Sequence, residues 1–362
     1  MGKIYKLFVI NPGSTSTRVA CYENEKEIHS KKIQHPTEVI ASFREINDQF
    51  DMRKTLVDEY MKEIGITDLD VIVSRGGGGR PIQCGGYGIT NLMVEECKRA
   101  PWPHASNLGV MIAYALMEEY HIPGYIYDAP LADDFIEYAK VSGLPELPIQ
   151  RGAGHPLNEK AAGHTVAGKL GGRYEDYNFI ICHLGGGITV NAHEKGKIID
   201  SHINAFSPER AGALPMIGFT KKCYSGEWTF SECTKRQMGG GGLVAYLGTS
   251  DMLEVERRIE SGDQEAEFYF GAMIYQIAKD IGGMATVMNG QVDRIILTGE
   301  IARSKLLTDG LSERVRFIAP VEIVPGAVEM EALVAGTLRI LRGEEEAKDY
   351  DNEEDRSRII IK

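Results

Sequence analysis

The stretch Leu7–Val19 reads LFVINPGSTSTRV. Four apolar residues run into a turn of Asn, Pro, Gly and small hydroxyl residues, and the apolar pattern resumes at Val19. A plain two-residue hairpin needs Asn-Gly or Asp-Gly at its tip and nothing more. Here Ser14, Thr15, Ser16 and Thr17 follow Gly13, and Arg18 closes the run. Consecutive small residues let backbone N–H groups converge on an anion, hydroxyls add donors, and a cation supplies charge. The turn reads as a phosphate cradle between two strands.

The pattern recurs. KLFVINPGSTSTRVACYENEKEI from Lys6 aligns without a gap with NFIICHLGGGITVNAHEKGKIID from Asn178, so that Asn11 meets His183, Gly13 meets Gly185, Thr17 meets Thr189 and Ala20 meets Ala192. Each segment reads as strand, glycine-rich turn, strand, turn, strand. The second turn, His183-Leu184-Gly185-Gly186-Gly187, lacks side chains at three successive positions, which lets a ligand approach the backbone. Beyond each opening meander, short buried-strand runs (DVIVSRGGGG, GYIYDAP, DRIILTGE) alternate with helical periodicity in NLGVMIAYALMEEY, FYFGAMIYQIAKDIGGMATVM and VEMEALVAGTLRILRG. The expected fold is α/β with two duplicated domains, residues 1–165 and 166–340, followed by a solvated charged tail, 341–362.

The 362 residues, 43% hydrophobic and 25% charged, suit a globular chain long enough for two domains. A net charge of −12 disfavours nucleic acid as a partner, so an anionic substrate must be held by local Arg, Lys and N–H groups. No apolar run reaches the roughly 18 residues a membrane helix needs, and the amino terminus leads straight into a strand, which points to the cytoplasm. Cys21, Cys84, Cys97, Cys182, Cys223 and Cys233 lack CxxC spacing and read as reduced packing residues. Two glycine-rich alternatives fail. The Walker pattern GxxxxGK[ST] is absent, and QCGGYG follows Gly76–Arg80 where a dinucleotide fingerprint needs a helix.

The strand-turn-strand placement resembles the superfamily of acetate kinases, sugar kinases, heat-shock chaperone ATPases and actin, whose domains are actin-like (ribonuclease H-like) with an interdomain nucleotide cleft. NPGSTSTR, HLGGGIT and SPERAGALP resemble the signatures of its acetokinase family over nearly the whole chain, and most closely those of the butyrate kinases. That resemblance implies ATP-dependent, reversible phosphorylation of butyrate or a related short or branched fatty acid, with ATP/ADP as substrates, Mg²⁺ as cofactor and a homo-oligomer as the assembly. Position by position it implies phosphate contacts at Asn11, Gly13, Ser14, Ser16, Arg18, His183, Gly185, Gly186 and Gly187, and at Gly299 and Glu300 in LTGEIARS. It implies catalytic roles for Arg75, Asp128, His155 and Arg210, a substrate role for Arg75 and His104, and metal roles for Asp128 and for Glu331, with Glu329 in VEMEAL as the alternative to Glu331.

Three departures from the family pattern stand out. Arg18 replaces a Lys, Gly185–Gly187 replaces Gly-Asn-Gly, and Gly154-His155-Pro156-Leu157 replaces the usual Phe-His-Gly-Thr. The residues alone leave other readings open: Arg75 and Arg210 as ion-pair partners, Asp128 as a turn-former, and His104, His155 and His183 as structural histidines. A sugar or polyol kinase would use Asp128 as a general base, and an actin-like switch would hydrolyse ATP to drive closure.

Overall fold

The computed structural model describes residues 3–66, 68–100, 104–149, 152, 154–354 and 356. Its contacts divide the chain into two compact units: residues 1–157 with 328–362, and residues 158–327.

In the first unit, β1 (Lys6–Pro12), β2 (Ser16–Glu23) and β3 (Lys26–Gln34) form an antiparallel meander. β4 (Val71–Ser74) lies parallel to β1, β6 (Gly124–Tyr127) lies parallel to β4, and β5 (Gly86–Gly88) closes that edge, giving the order β3-β2-β1-β4-β6-β5. In the second unit, β7 (Asn178–Leu184), β8 (Ile188–Glu194) and β9 (Lys197–His202) repeat the meander. β10 (Arg294–Gly299) lies parallel to β7 and β11 (Val321–Pro325) parallel to β10. The order β9-β8-β7-β10-β11 therefore reproduces the first five strands of the first sheet, and the duplication is real.

Register corrects the gap-free alignment. Pro12 pairs with Thr17 across Gly13 to Ser16, whereas Leu184 pairs with Ile188 across only Gly185 to Gly187. The second turn is one residue shorter, so Arg18, not Thr17, matches Thr189. The bulges agree: one lies between Cys21 and Tyr22, the other between Ala192 and His193, which coincide only when that one-residue gap is allowed.

Both faces of the central strands β1, β4, β7 and β10 are covered, which is why these are continuous apolar runs rather than alternating ones, whereas the edge strand β3 is exposed almost throughout. Phe8 and Ile10 of β1 face the helices Phe50–Glu63, Asn91–Lys98 and Ala105–Tyr120, while Leu7 and Val9 face the helix Glu329–Leu341 through Met330, Leu333, Val334 and Leu338. In the second unit, Ile180 and Cys182 face the helix Gln264–Val287, and Phe179 and Ile181 face Ala162 and Val166 of the helix Pro156–Lys169. The helix Glu329–Leu341, last of its half in sequence, thus buries its apolar stripe on the first unit's sheet, and most of the helix Pro156–Lys169 joins the second unit. The boundaries expected at 165/166 and 340/341 accordingly move to 157/158 and 327/328.

The acidic tail is not wholly solvated either. Tyr350 is 2% exposed, meets Tyr87 edge to face with centroids 6.2 Å apart, and its hydroxyl donates to Glu96 at 2.5 Å. All six cysteines are free thiols, and among the described residues no helix is long and apolar enough to cross a membrane.

Candidate active site

The first turn is gripped from beneath by a residue that the sequence reading overlooked. Arg53, on the helix Phe50–Glu63 and 1% exposed, donates from Nη1 to the carbonyls of Gly13 (2.9 Å) and Ser16 (3.2 Å) and to Thr17 Oγ1 (3.1 Å), and from Nη2 to the Ser14 carbonyl (3.1 Å). Gln49 Oε1 accepts from its Nε and Nη2. Burial pushes the Arg53 guanidinium down to about 10, so it stays charged at neutral pH. A buried cation that engages three turn carbonyls holds the acceptors of the turn on the protein side. Thr17 is further held by His35 Nε2 at 2.9 Å, and burial with the nearby Arg53 charge pushes His35 down to about 4.

Above the turn, cross-strand register assembles the charge. Asn11 lies opposite Arg18, and Arg18 opposite Lys32, so one rung across β1, β2 and β3 presents all three on the same face. Arg75 extends the row, because its N–H donates to the Ile10 carbonyl at 3.2 Å just past the end of β4. These residues, with Gly13 and Ser16, line a cavity of about 480 Å³ whose one acid is Glu329. Asn11 Nδ2 donates to Glu329 at 2.8 Å, and Arg75 Nη2 pairs with it at 3.3 Å. Among the described residues neither Arg18 nor Lys32 forms an ion pair. Like charges directly opposite on neighbouring strands repel, so this face is built for an anion that compensates them.

Of the two acids that the resemblance left open for the metal, Glu331 and Glu329, it is Glu329 that lines this cavity. The helix starts at Glu329, and two residues further on a side chain points about 200° round the axis, which leaves Glu331 exposed and outside the cavity. Asp128 directly follows β6, which lies beside β4, and has φ 44°; its Oδ1 accepts from Gly85 N–H at 2.8 Å and its own N–H donates to the Gly85 carbonyl at 3.0 Å. It is 3% exposed and does not line the cavity. His104 caps the helix Ala105–Tyr120, where Nδ1 accepts from the Ser106 N–H at 3.2 Å. His155 sits directly before Pro156, the first residue of the next helix. Ser14 is exposed at the turn's tip.

The second turn is organised differently. Ser207 Oγ donates to the Gly186 carbonyl at 2.5 Å, and Glu209 N–H donates to it at 3.3 Å. A Cβ on Gly186 would press on the Glu209 carboxylate at 3.1 Å, and a Cβ on Gly187 would fall on the Arg210 guanidinium. The missing side chains of Gly186 and Gly187 therefore admit the SPER segment, which brings Arg210 onto the turn. Burial pushes Arg210 down from its ordinary value, with Glu209 opposing. Gly299, at φ 93°, abuts the Leu184 backbone, and Glu300 is held by Arg303 at 3.0 Å and the Ala327 N–H at 3.2 Å.

Beneath this turn lies a buried polar network with no counterpart in the sequence reading. Asn158 Nδ2 donates to His183 Nδ1 (3.0 Å) and Thr298 Oγ1 (3.2 Å), which gives His183 a structural role. Glu159, 0% exposed, accepts from Thr189 Oγ1 (2.6 Å), Asn191 Nδ2 (2.5 Å) and His193 Nε2 (3.2 Å). Burial raises the Glu159 carboxyl well above its usual range, and burial pushes His193 down to about 3. Neutral His193 then accepts the Tyr174 hydroxyl at Nδ1, 2.5 Å away.

Comparison with known proteins follows the same lines. The chain is 44% identical over 354 residues to butyrate kinase 2 of Clostridium acetobutylicum, covering 96% of this chain and 99% of that protein. The chain belongs to the acetokinase family. The acetokinase family model matches residues 137–309, and probable butyrate kinase 2 of Caldanaerobacter subterraneus subsp. tengcongensis is 45% identical over 96% of this chain and 100% of its own length. A crystal structure of Porphyromonas gingivalis acetate kinase superposes with a TM-score of 0.74 at 16% identity, covering 93% of this chain and 100% of that chain, so the acetate kinase fold is shared. Within this acetokinase, the sites carried over from the family signatures fall into two clusters: Asn11, Gly13, Ser16, Arg18 and Arg75 in one unit, and Gly185–Gly187, Arg210 and Gly299 in the other. Arg53 had one legible signal: it occupies a core-facing position of the stripe Phe50, Arg53, Val57, Tyr60, where a charge is out of place. Lys32 had none, because only strand register sets it opposite Arg18.

Proposed function

We propose that this acetokinase phosphorylates butyrate, or a related short or branched fatty acid, with ATP, forming acyl phosphate and ADP in a reversible in-line transfer in the cytoplasm. The observation that carries this is the cationic rung Asn11–Arg18–Lys32 with Arg75 beside it in one cavity. A carboxylate is ionised at pH 7 and needs no general base; it needs relief from repulsion by the phosphoryl group it attacks. Guanidinium groups on the equatorial oxygens and fixed alignment supply that relief. Arg75 orients the acid and Arg210 takes charge developing on the transferring group. The glycine turns hold the nucleotide's phosphates, and His155 donates a hydrogen bond to the moving phosphoryl.

Mg²⁺ fits the donors as a nucleotide-borne ion. Among the described residues no three His, Cys, Asp or Glu side chains cluster, so there is no all-protein cage, and Mg²⁺ ordinarily relies on substrate phosphates plus one or two carboxylates. Glu329, the acid of the cavity, would hold it, and the ion would neutralise phosphate charge; the family's metal role for Asp128 would need that buried carboxylate to leave Gly85.

The test is incubation with ATP, Mg²⁺ and a panel of acids, trapping product with hydroxylamine. Acyl hydroxamate from butyrate or isobutyrate supports the reading. A stronger signal from acetate makes it an acetate kinase, ADP release driven by glycerol or hexoses makes it an alcohol kinase, and acid-independent turnover makes it an ATP switch. The family resemblance also supports a homo-oligomer; a monomer mass by light scattering removes that part.

A further inference from the structure

The helices Met216–Tyr224 and Phe230–Gln237 form a hairpin in the second unit that takes no part in the site described above. The first of them buries none of its residues and the second buries only Cys233. Cys223 is half-buried, Cys233 is 7% exposed, and their Sγ atoms lie 3.7 Å apart. The other four cysteines are buried in the two cores, where burial holds Cys97 up at about 12 and Cys182 well above its ordinary value. These two thiols are in mutual contact, on helices that bury almost nothing else to resist movement.

Disulfide geometry needs the sulfurs at about 2.05 Å, so closure asks for an approach of under about 2 Å between two weakly packed helices. Lys222 flanks Cys223 in sequence, and Arg236 acts on Cys233 to favour its thiolate, although burial and the neighbouring Cys223 thiol win and hold Cys233 up. The more exposed sulfur, Cys223, is therefore the one that meets an external reagent, and Cys233 is the resolving thiol behind it.

We propose that Cys223 and Cys233 form a redox-active dithiol that small-molecule disulfides oxidise to an intrachain disulfide. The Cys223 thiolate attacks one sulfur of the reagent R–S–S–R, whose S–S bond breaks and releases one RS⁻, leaving a mixed disulfide on Cys223. The Cys233 thiolate then attacks Cys223 Sγ; that bond forms, the mixed disulfide breaks, and the second RS⁻ departs. The two leaving thiolates take up the two protons given up by the cysteines, so the dithiol loses two electrons and the reagent gains them as two RSH.

The cross-link would be felt next to Arg210, because the hairpin hangs on that segment at both ends. Pro215 is the cap residue of its first helix, and beyond its second helix Ala211 N–H donates to the Gln237 carbonyl at 3.0 Å and Gly239 N–H to the Glu209 carbonyl at 2.8 Å. The same hairpin walls a cavity of about 560 Å³ through Phe219 and Trp228, with Arg236 stacked 4.5 Å over the Trp228 ring.

The experiment treats the native full-length chain with oxidised glutathione, blocks remaining thiols in denaturant, and maps tryptic peptides without reductant. The expected result is the single tryptic peptide 223–235, which carries both cysteines, unalkylated and lighter by two hydrogen atoms than its dithiol form, and able to take two alkyl groups after dithiothreitol, with Cys21, Cys84, Cys97 and Cys182 alkylated. In Cys233→Ser the reaction stops at a glutathione adduct on Cys223, and in Cys223→Ser the cross-link is lost. A wild-type chain that keeps both thiols alkylatable, stops at the adduct, or links Cys223 between two chains overturns the proposal. The readout is mass alone, so it stands or falls separately from the kinase assay.

Discussion

The two glycine turns occupy equivalent places in duplicated sheets, yet they are held by opposite means. The first rests on a buried cation, Arg53, and carries Arg18, Lys32 and Arg75 on its outer side. The second rests on a buried carboxylate, Glu159, which binds Thr189, the residue equivalent to Arg18. Arg210 reaches this turn from a separate loop through space that Gly187 leaves vacant. A duplicated scaffold has thus been turned to two tasks. One turn concentrates charge and the other offers backbone; in the proposed reaction these would serve the carboxylate meeting a phosphate and the polyphosphate tail respectively.

If that contrast is right, Arg75→Ala should lower acyl hydroxamate formation by roughly 10²- to 10³-fold, the usual toll for removing one donor at developing charge. A loss below tenfold would dissolve the idea of a charge-built first turn. Gly187→Ala tests the other side: its new methyl displaces the Arg210 guanidinium, and kcat should drop by about tenfold or more while the thermal midpoint holds, since losing aligned charge costs at least ~1.4 kcal/mol. Unchanged kcat in that variant would mean that Arg210 does not need the vacancy.

Acid should weaken both units through their buried histidines. His35 and His193 have folded pKa values pushed down to about 4 and about 3, so each stays neutral in the fold while the unfolded chain gains a proton below its ordinary value of 6.5. Stability is present above pH 6.5 and is lost as pH falls towards those values, at up to about 1.4 kcal/mol per pH unit for each histidine. Urea midpoints at pH 7 and pH 5 should show the fall, and His35→Gln and His193→Gln should each flatten it; a flat wild-type profile contradicts both assignments. Smallest is Lys32→Ala, which should raise KM for the acid or the nucleotide by about three- to tenfold with little change in kcat, as for one exposed phosphate contact of about 1 kcal/mol. An unaltered KM removes Lys32 from the anion site.

Much of this architecture was legible in the chain. Period and punctuation marked both meanders and the long helices, since buried strands read as short apolar runs bounded by Gly and Pro. The signatures placed Asn11, Arg18, Arg75, Gly187 and Arg210 at strand ends and turns. What went unread lay in contacts with no sequence period: Asn158 and Glu159 under β8, and the helices whose unit is not the one their order implies. Arg53 could be seen only as an anomaly, a charge on an apolar stripe, because its acceptors are backbone carbonyls some forty residues away.

Local chain chemistry was enough to specify the duplication, the two turns and their supply of cations, because glycine freedom, hydroxyl donors and strand periodicity act over a few residues. Which cation stands beside which, which carboxylate faces Arg75, and which turn is propped by an arginine and which by a glutamate were decided by strand register and by helices packing on distant sheets. Electrostatic interaction between exposed charges is screened over about 10 Å at ordinary salt, so charges many residues apart acquire meaning only when the fold brings them together.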